Sequence, residues 1–235
     1  MHVVYVNHVC LSLAYAQPKH FYRCLHDTDH DYAHRSRVRA LRQQRLFAYA
    51  CVYWLAQALQ PVAHLTRRIE RQKNGKPDFA TLGAQAPLHF NLSHSGSWLS
   101  IALAHYPIGV DIETQHGATL TLPARQSCLH VSEPKAQVLG SDFLKYWTAK
   151  EALLKAQGMG LRIEPNRIAL RPPQAQFASP AVLPEALQSD FYCVSLVDAP
   201  VDTHCAVALK TASPIQGARI QSKVWTRNAL NALSN

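Results

Sequence analysis

The six cysteines, at positions 10, 24, 51, 128, 193 and 205, include no CxxC pair. That spacing excludes a zinc ribbon and a thioredoxin-like redox centre, and it offers no disulfide framework; it is how buried thiols are used in a reducing compartment. The thirteen histidines fall in no HExxH or similar paired spacing for a transition metal. No Gly-x-Ser-x-Gly elbow accompanies Ser93-His94, which argues against a serine hydrolase. Charge is sparse at 17%, and acid is sparser still: 15 Asp and Glu against 24 Lys and Arg, a formal net charge of +9. What is present is apolar bulk. With 48% hydrophobic residues and a mean hydropathy of −0.14, the chain is neither disordered nor a polytopic membrane protein. Its 235 residues suffice for one large domain or two small ones with real cores. The basic excess points to an anionic partner: nucleic acid, acidic lipid, a phosphorylated small molecule or an acidic protein.

The apolar stretch 3–16 ends Ala14-Tyr15-Ala16 in the manner of a signal-peptidase site. No Lys or Arg precedes it, Asn7 and His8 interrupt it, and the alternation of Val4, Val6 and His8 with Val3, Tyr5 and Asn7 predicts a partly buried strand. A cytoplasmic location is expected. Residues 25–60 read as one helix, capped near Asp27, Asp29 and Asp31 and closed by Pro61. It begins with Arg35, Arg37, Arg39, Arg42 and Arg45, which fit a solvated face or an anion site, and ends apolar. Lys73-Asn74-Gly75-Lys76-Pro77 is a turn. Residues 88–92, 98–104 and 108–113 predict a three-strand meander, with 93–97 as its polar turn. A helix is expected over 143–157, stopped by Gly158, then a loop over 171–184 and a strand hairpin over 191–197 and 205–210. The chain after Thr211 is expected at the surface. The arrangement around 90–104 resembles that around 191–209, a hint of two similarly built halves.

Three groups of residues can carry chemistry. Asp111 and Glu113, at i and i+2 of a strand, present two carboxylates to one side, which suits Mg²⁺ or Mn²⁺; a pair of solvent-facing acids reads the same. Trp147, Glu151 and Lys155 follow at i, i+4 and i+8 of a helix, as a third carboxylate and a phosphate-binding cation or as an ordinary helical ion pair. Ser93-His94-Ser95 could hold an anion in its turn.

In order, Gly75-Lys76-Pro77, Phe90-Asn91-Leu92-Ser93-His94-Ser95, Ile108-Gly109-Val110-Asp111-Ile112-Glu113 and Trp147-Thr148-Ala149-Lys150-Glu151-Ala152-Leu153-Leu154-Lys155 closely resemble the Sfp-type 4′-phosphopantetheinyl transferase family. The resemblance implies an α+β pseudo-dimer of two similar halves, 1–112 and 113–235, with the active site in the cleft between them. It implies transfer of the 4′-phosphopantetheine arm of coenzyme A to a serine of an acyl- or peptidyl-carrier protein, with release of 3′,5′-ADP. Asp111, Glu113 and Glu151 correspond to the Mg²⁺ ligands, with Mn²⁺ an alternative. Glu151 also corresponds to a base for the serine. Lys155 corresponds to the lysine on the pyrophosphate, Ser93 and His94 to the phosphate-contacting turn, and Gly75 and Lys76 to the nucleotide contact. Glu133 matches a further acidic position near the metal. Arg45 is implied as a cofactor-binding residue; aligned on Arg45-Leu46-Phe47, His30 and Ala33 stand where relatives carry the cations that hold the 3′-phosphate, which passes those contacts to Arg35, Arg37 or Arg39. Met159, Leu161 and Ile163 are expected to meet the acidic carrier or to lie in the core. The resemblance leads us to expect a monomer that binds neither nucleic acid nor membrane. A nucleic-acid binder would need a recognisable module, which the chain lacks; a Mg²⁺-dependent phosphohydrolase would use the same carboxylates.

Overall fold

A computed structural model describes residues 2–61, 68–80, 87–115, 120–135, 142–171, 178–215 and 218–234. Strand β1 (Val3–Cys10) opens the chain. Helices α1 (Asp27–His34) and α2 (Arg39–Leu59) follow. The short strands β2 (Ile69–Arg71) and β3 (Pro77–Phe79) pair across the turn at Gly75. Next come β4 (His89–Ser95), β5 (Trp98–Ala104) and β6 (Ile108–Thr114), then α3 (Leu122–Ser127) and α4 (Phe143–Gln157). Strands β7 (Phe191–Val197), β8 (Thr203–Thr211) and β9 (Arg219–Trp225) and helix α5 (Arg227–Ser234) complete it. No helix among the described residues is long and apolar enough to cross a membrane.

The strands form a four-stranded sheet, β4-β5-β1-β9, and a three-stranded sheet, β6-β8-β7. Period-two alternation stacks them into four layers. On one face of the first sheet Val9, Leu99, Ile101 and Leu103 pack under α2, whose stretch from Phe47 to Ala56 is buried. Its other face offers Val4, Val6, Ala102 and Ala104 to Ile108, Val110, Ile112, Val207 and Leu209 of the second sheet. The far face of the second sheet sets Ala206 and Ala208 against Ala149, Ala152, Leu153 and Ala156 of α4. The order is therefore helix, sheet, sheet, helix, a mixed α+β architecture. In each half an opening strand (β1 or β6) precedes a long helix and then a hairpin whose second strand pairs antiparallel with the opening strand.

Several expectations change. The helix over 25–60 is two helices, because the chain turns at 35–38, where the Ser36 hydroxyl accepts the Val38 N–H. The meander over 88–113 is only a hairpin: β4 and β5 pair, while β6 leaves to pair with β8. The polar turn over 93–97 shrinks to Gly96 and Ser97, since pairing continues to Ser95↔Trp98 and Gly96, at φ +54, makes the tight reversal. After Thr211 the chain returns to the first sheet, where β9 lies parallel to β1 and Trp225 donates to Asn7 Oδ1 at 2.7 Å. Leu230 of α5 is buried in the first core. Strand β6 spans positions 112 and 113, and β9 lies in the sheet of β1. Part of the loop over 171–184, residues 172–177, lies outside the described residues, as does the side chain of Leu161. Ile163 is buried in the second core and Met159 packs half-buried against it.

The first strand, the turn at Gly75, the helix over 143–157 and the late hairpin are where the sequence reading put them. Gly158, at φ +85, ends α4 with its N–H on the Leu154 carbonyl.

Candidate functional site

On β6 the even residues Ile108, Val110 and Ile112 enter the core between the sheets, which turns Gly109, Asp111 and Glu113 towards α4. A Cβ built on Gly109 would overlap the Ala152 carbonyl oxygen and the Ala156 nitrogen. Glycine is therefore what lets helix and strand approach this closely. The closeness brings Lys155 to Asp111, with Nζ donating to Oδ1 at 2.6 Å.

Strand β4 crosses the edge of β6 and is tied to it by side chains in place of a backbone ladder. Asn91 Oδ1 accepts the Val110 N–H at 2.9 Å, and Ser93 Oγ donates to Asp111 Oδ1 at 2.8 Å. Ser95 Oγ donates to Glu113 Oε2 at 2.8 Å and accepts the Thr114 N–H at 3.1 Å. Lys155 Nζ also donates to Ser93 Oγ at 2.9 Å, which closes a Ser93–Asp111–Lys155 triangle at the junction of the two sheets. Alternation puts His94 on the opposite face, exposed, so Ser93 and His94 do not act from one side.

Glu151 faces this triangle from α4. Burial first, then the charge of Asp111, push its carboxyl up to about 7; Lys155 pulls the other way, and Glu113 adds a smaller upward push. Burial likewise raises Glu113, which hydrogen-bonds Ser95 and Trp147. Asp111 Oδ2 and Glu151 Oε1 are buried and accept no hydrogen bond. Among the described residues no three His, Cys, Asp or Glu side chains form a ready metal cluster. Two bare carboxylate oxygens, with a third carboxylate close enough to feel them, still fit Mg²⁺, which keeps several waters and needs only one or two carboxylates.

The Glu151 shift has a testable consequence in metal-free protein. Its folded-state value lies above the ordinary 4.5, so as pH rises the unfolded chain releases this proton first. Glu151 thus stabilises the fold most in acid, and that contribution declines between about pH 4.5 and 7. The melting temperature of chelator-treated protein should show this decline, and Glu151→Gln should flatten it. Equal slopes in the two proteins would assign the effect elsewhere.

Glu133 is not part of this site. It is buried, Lys150 Nζ donates to its Oε2 at 2.6 Å, the His130 N–H donates to the same oxygen and the Leu170 N–H to Oε1. The pair joins α4 to the loops beneath it, and the charge of Glu133 is matched by Lys150.

A second basic cluster surrounds Tyr32. The guanidiniums of Arg71, Arg45 and Arg35 lie 3.6, 5.0 and 5.8 Å from its ring centroid, and Tyr32 stacks on Tyr49. Arg71 also donates to Tyr49 Oη at 2.7 Å and to the Gly75 carbonyl at 2.8 Å. None of the ion pairs among the described residues involves an arginine. Arg37 and Arg39 are exposed and outside the cluster. Sequence reasoning missed Arg71. Its signal was a position four residues before Gly75, where the hairpin folds it back over its own turn. The Lys76 ammonium does not face solvent: it donates to the carbonyls of Ile108 and Ala156.

Residues 107–208, which carry Asp111, Glu113, Glu151 and Lys155, match the family model of the 4′-phosphopantetheinyl transferase superfamily. That region belongs to the superfamily. A 4′-phosphopantetheinyl transferase of Bacillus subtilis is 33% identical over 106 residues, 43% of this chain and 45% of that protein. The transferase Sfp of Bacillus subtilis strain 168 is 31% identical over 111 residues, 44% of this chain and 47% of its own. HetI of Nostoc is 32% identical over 171 residues, 67% and 64% of the two chains. The chain thus aligns with a little under half the length of the two Bacillus relatives. These matches bear out the Sfp-type resemblance of the motifs, and the superfamily region coincides with β6, α4 and the hairpin β7–β8.

Proposed function

We propose that this protein transfers the 4′-phosphopantetheine group of coenzyme A to a serine of an acyl- or peptidyl-carrier protein and releases 3′,5′-ADP. The observation that carries this reading is the Ser93–Asp111–Lys155 triangle beside the bare oxygens of Asp111 and Glu151. Asp111, Glu113 and Glu151 would hold Mg²⁺, or Mn²⁺ in its place. When bound, the ion neutralises charge on the pyrophosphate oxygens. The Lys155 ammonium has three donors. Two are committed to Asp111 and Ser93, which leaves the third for a phosphate oxygen. Glu151, or a water it holds, would take the proton from the attacking serine. His94 would donate to a phosphate oxygen from the open side of β4, and the backbone at Gly75 would meet the nucleotide.

Arg35, Arg45 and Arg71 around Tyr32 supply the natural anchor for the 3′-phosphate, as guanidiniums without carboxylate partners. The shared strand–helix–hairpin order of the two halves supports a pseudo-dimer with coenzyme A in the cleft between them. We further propose that the protein acts as a cytoplasmic monomer and that its net charge of +9 attracts an acidic carrier.

The test is the intact mass of an apo-carrier protein after incubation with coenzyme A and Mg²⁺. It should rise by one phosphopantetheine group, and a carrier serine-to-alanine variant should stay unchanged. Hydrolysis of coenzyme A with no mass gain on any carrier of a fatty acid, polyketide and peptide panel would replace the transferase by a phosphohydrolase.

A further inference from the structure

Lys76 sits at the end of the β2–β3 turn, and its backbone is fixed there: its N–H donates to Asn74 Oδ1 at 2.9 Å and its carbonyl accepts the Gln72 N–H at 2.9 Å. From that point the side chain runs inward across the boundary between the halves. Its ammonium donates to the Ile108 carbonyl at 2.8 Å and to the Ala156 carbonyl at 3.3 Å. Ile108 opens β6, three residues before Asp111. Ala156 directly follows Lys155 and lies in the last turn of α4, where carbonyls lack helical partners and a cation suits the helix dipole. The same turn closes on the hairpin a second time, because Gly158 leaves room for Asn74 and the Lys76 stem.

We propose that the Lys76 ammonium is a clasp between β6 and α4, a positioning residue that sets Asp111 and Lys155 in register, and that its charged end is not a contact to the nucleotide. Two lysines then staple one strand to one helix. Lys155 joins them at the reacting end through Asp111, and Lys76 joins them through backbone carbonyls. A hairpin of the first half thereby fixes the geometry of a site built mostly from the second. Burial pushes the Lys76 ammonium down to about 8, and the neutral amine still carries donors for both carbonyls. The kinetic consequence rests on the transferase reading; the structural one does not.

Lys76→Met removes the donors and keeps the stem. In the protein free of coenzyme A, amide exchange in the last turn of α4 and at the start of β6 should quicken by at least ~10-fold, while buried amides of α2 keep their rates. Melting should fall by roughly 5 °C, as expected for two carbonyls left unpaired. Turnover should drop on the order of 10-fold with the KM for coenzyme A held within about threefold, the signature of misplaced groups and not of lost binding. A KM raised ~10-fold or more with exchange at parental rates would make Lys76 a nucleotide contact and overturn the clasp. So would a variant that matches the parent in every readout. If Lys76→Met does not fold, Lys76→Arg, which keeps donors, is judged by the same two signatures. Should the parent itself lack transferase activity, that sinks the functional reading, while the exchange data still decide the clasp.

Discussion

Asp111→Ala is expected to lower turnover on the order of 10³-fold and to leave the melting temperature within a few degrees of the parent's. The loss follows from what one side chain does. Asp111 Oδ1 holds the Lys155 ammonium and the Ser93 hydroxyl together, and its buried Oδ2 has no protein partner. Removing the carboxylate takes away one proposed metal ligand and frees Lys155 from its fixed direction. Stability responds less because two effects oppose. A charged hydrogen bond worth about 1.5–3 kcal/mol disappears, yet so does the carboxylate that raises Glu113 and Glu151. A residue whose removal costs activity and little stability is one the fold holds in place for function. Mn²⁺ titration followed by electron paramagnetic resonance gives a readout apart from turnover, and binding should weaken at least ~10-fold. Turnover of Asp111→Ala within ~10-fold of the parent, with Mn²⁺ affinity unchanged, would take this residue out of the site.

Gly109→Ala should show the opposite pattern, with stability and activity lost together. The new methyl group would overlap the backbone of α4 at Ala152 and Ala156, and backbone cannot swing aside as a flexible side chain can. Overpacking of this kind costs typically 1–3 kcal/mol, so melting should fall by roughly 5–10 °C. The helix is then pushed from the strand and the 2.6 Å contact between Lys155 and Asp111 opens. Turnover should fall by ~10²-fold or more, since an ångström of misplacement is enough. Melting and turnover both at parental values would mean that helix and strand have slack the structure does not display.

How much of this could be read in the amino acids depends on the range over which each feature is decided. Helix α4 carries its own period and its own stop at Gly158, so it was legible, and so was the facing of Asp111 and Glu113, which needs only strand alternation. The partner of β6 was not legible. Its register, Ile108↔Leu209, is settled about a hundred residues away, and locally β6 looks like the next strand of a meander. Glu133 misled for a similar reason: its cation, Lys150, lies inside the motif that was read for other residues, and nothing in sequence shows that the two are buried against each other. Strand β9 was missed because it is mostly exposed and lacks the apolar alternation that marks a buried strand. Ser93 was legible as a site residue, but strand pairing and not a turn decides where its hydroxyl points.

The parallel pairing of β9 with β1 also constrains the order in which this molecule can be assembled. Val3 lies beside Arg219, so β1 waits for the synthesis of more than two hundred further residues before its second edge is covered. Until then β1, with Val4 and Val6 on one side and Tyr5 and Val9 on the other, offers an open apolar edge of the kind that pairs with neighbouring chains. The long closure makes this one of the slower contacts to form. A chain that lacks β9 would therefore be more prone to aggregate than one in which β9 has paired with β1. The strand that covers this edge contributes nothing to the reacting groups.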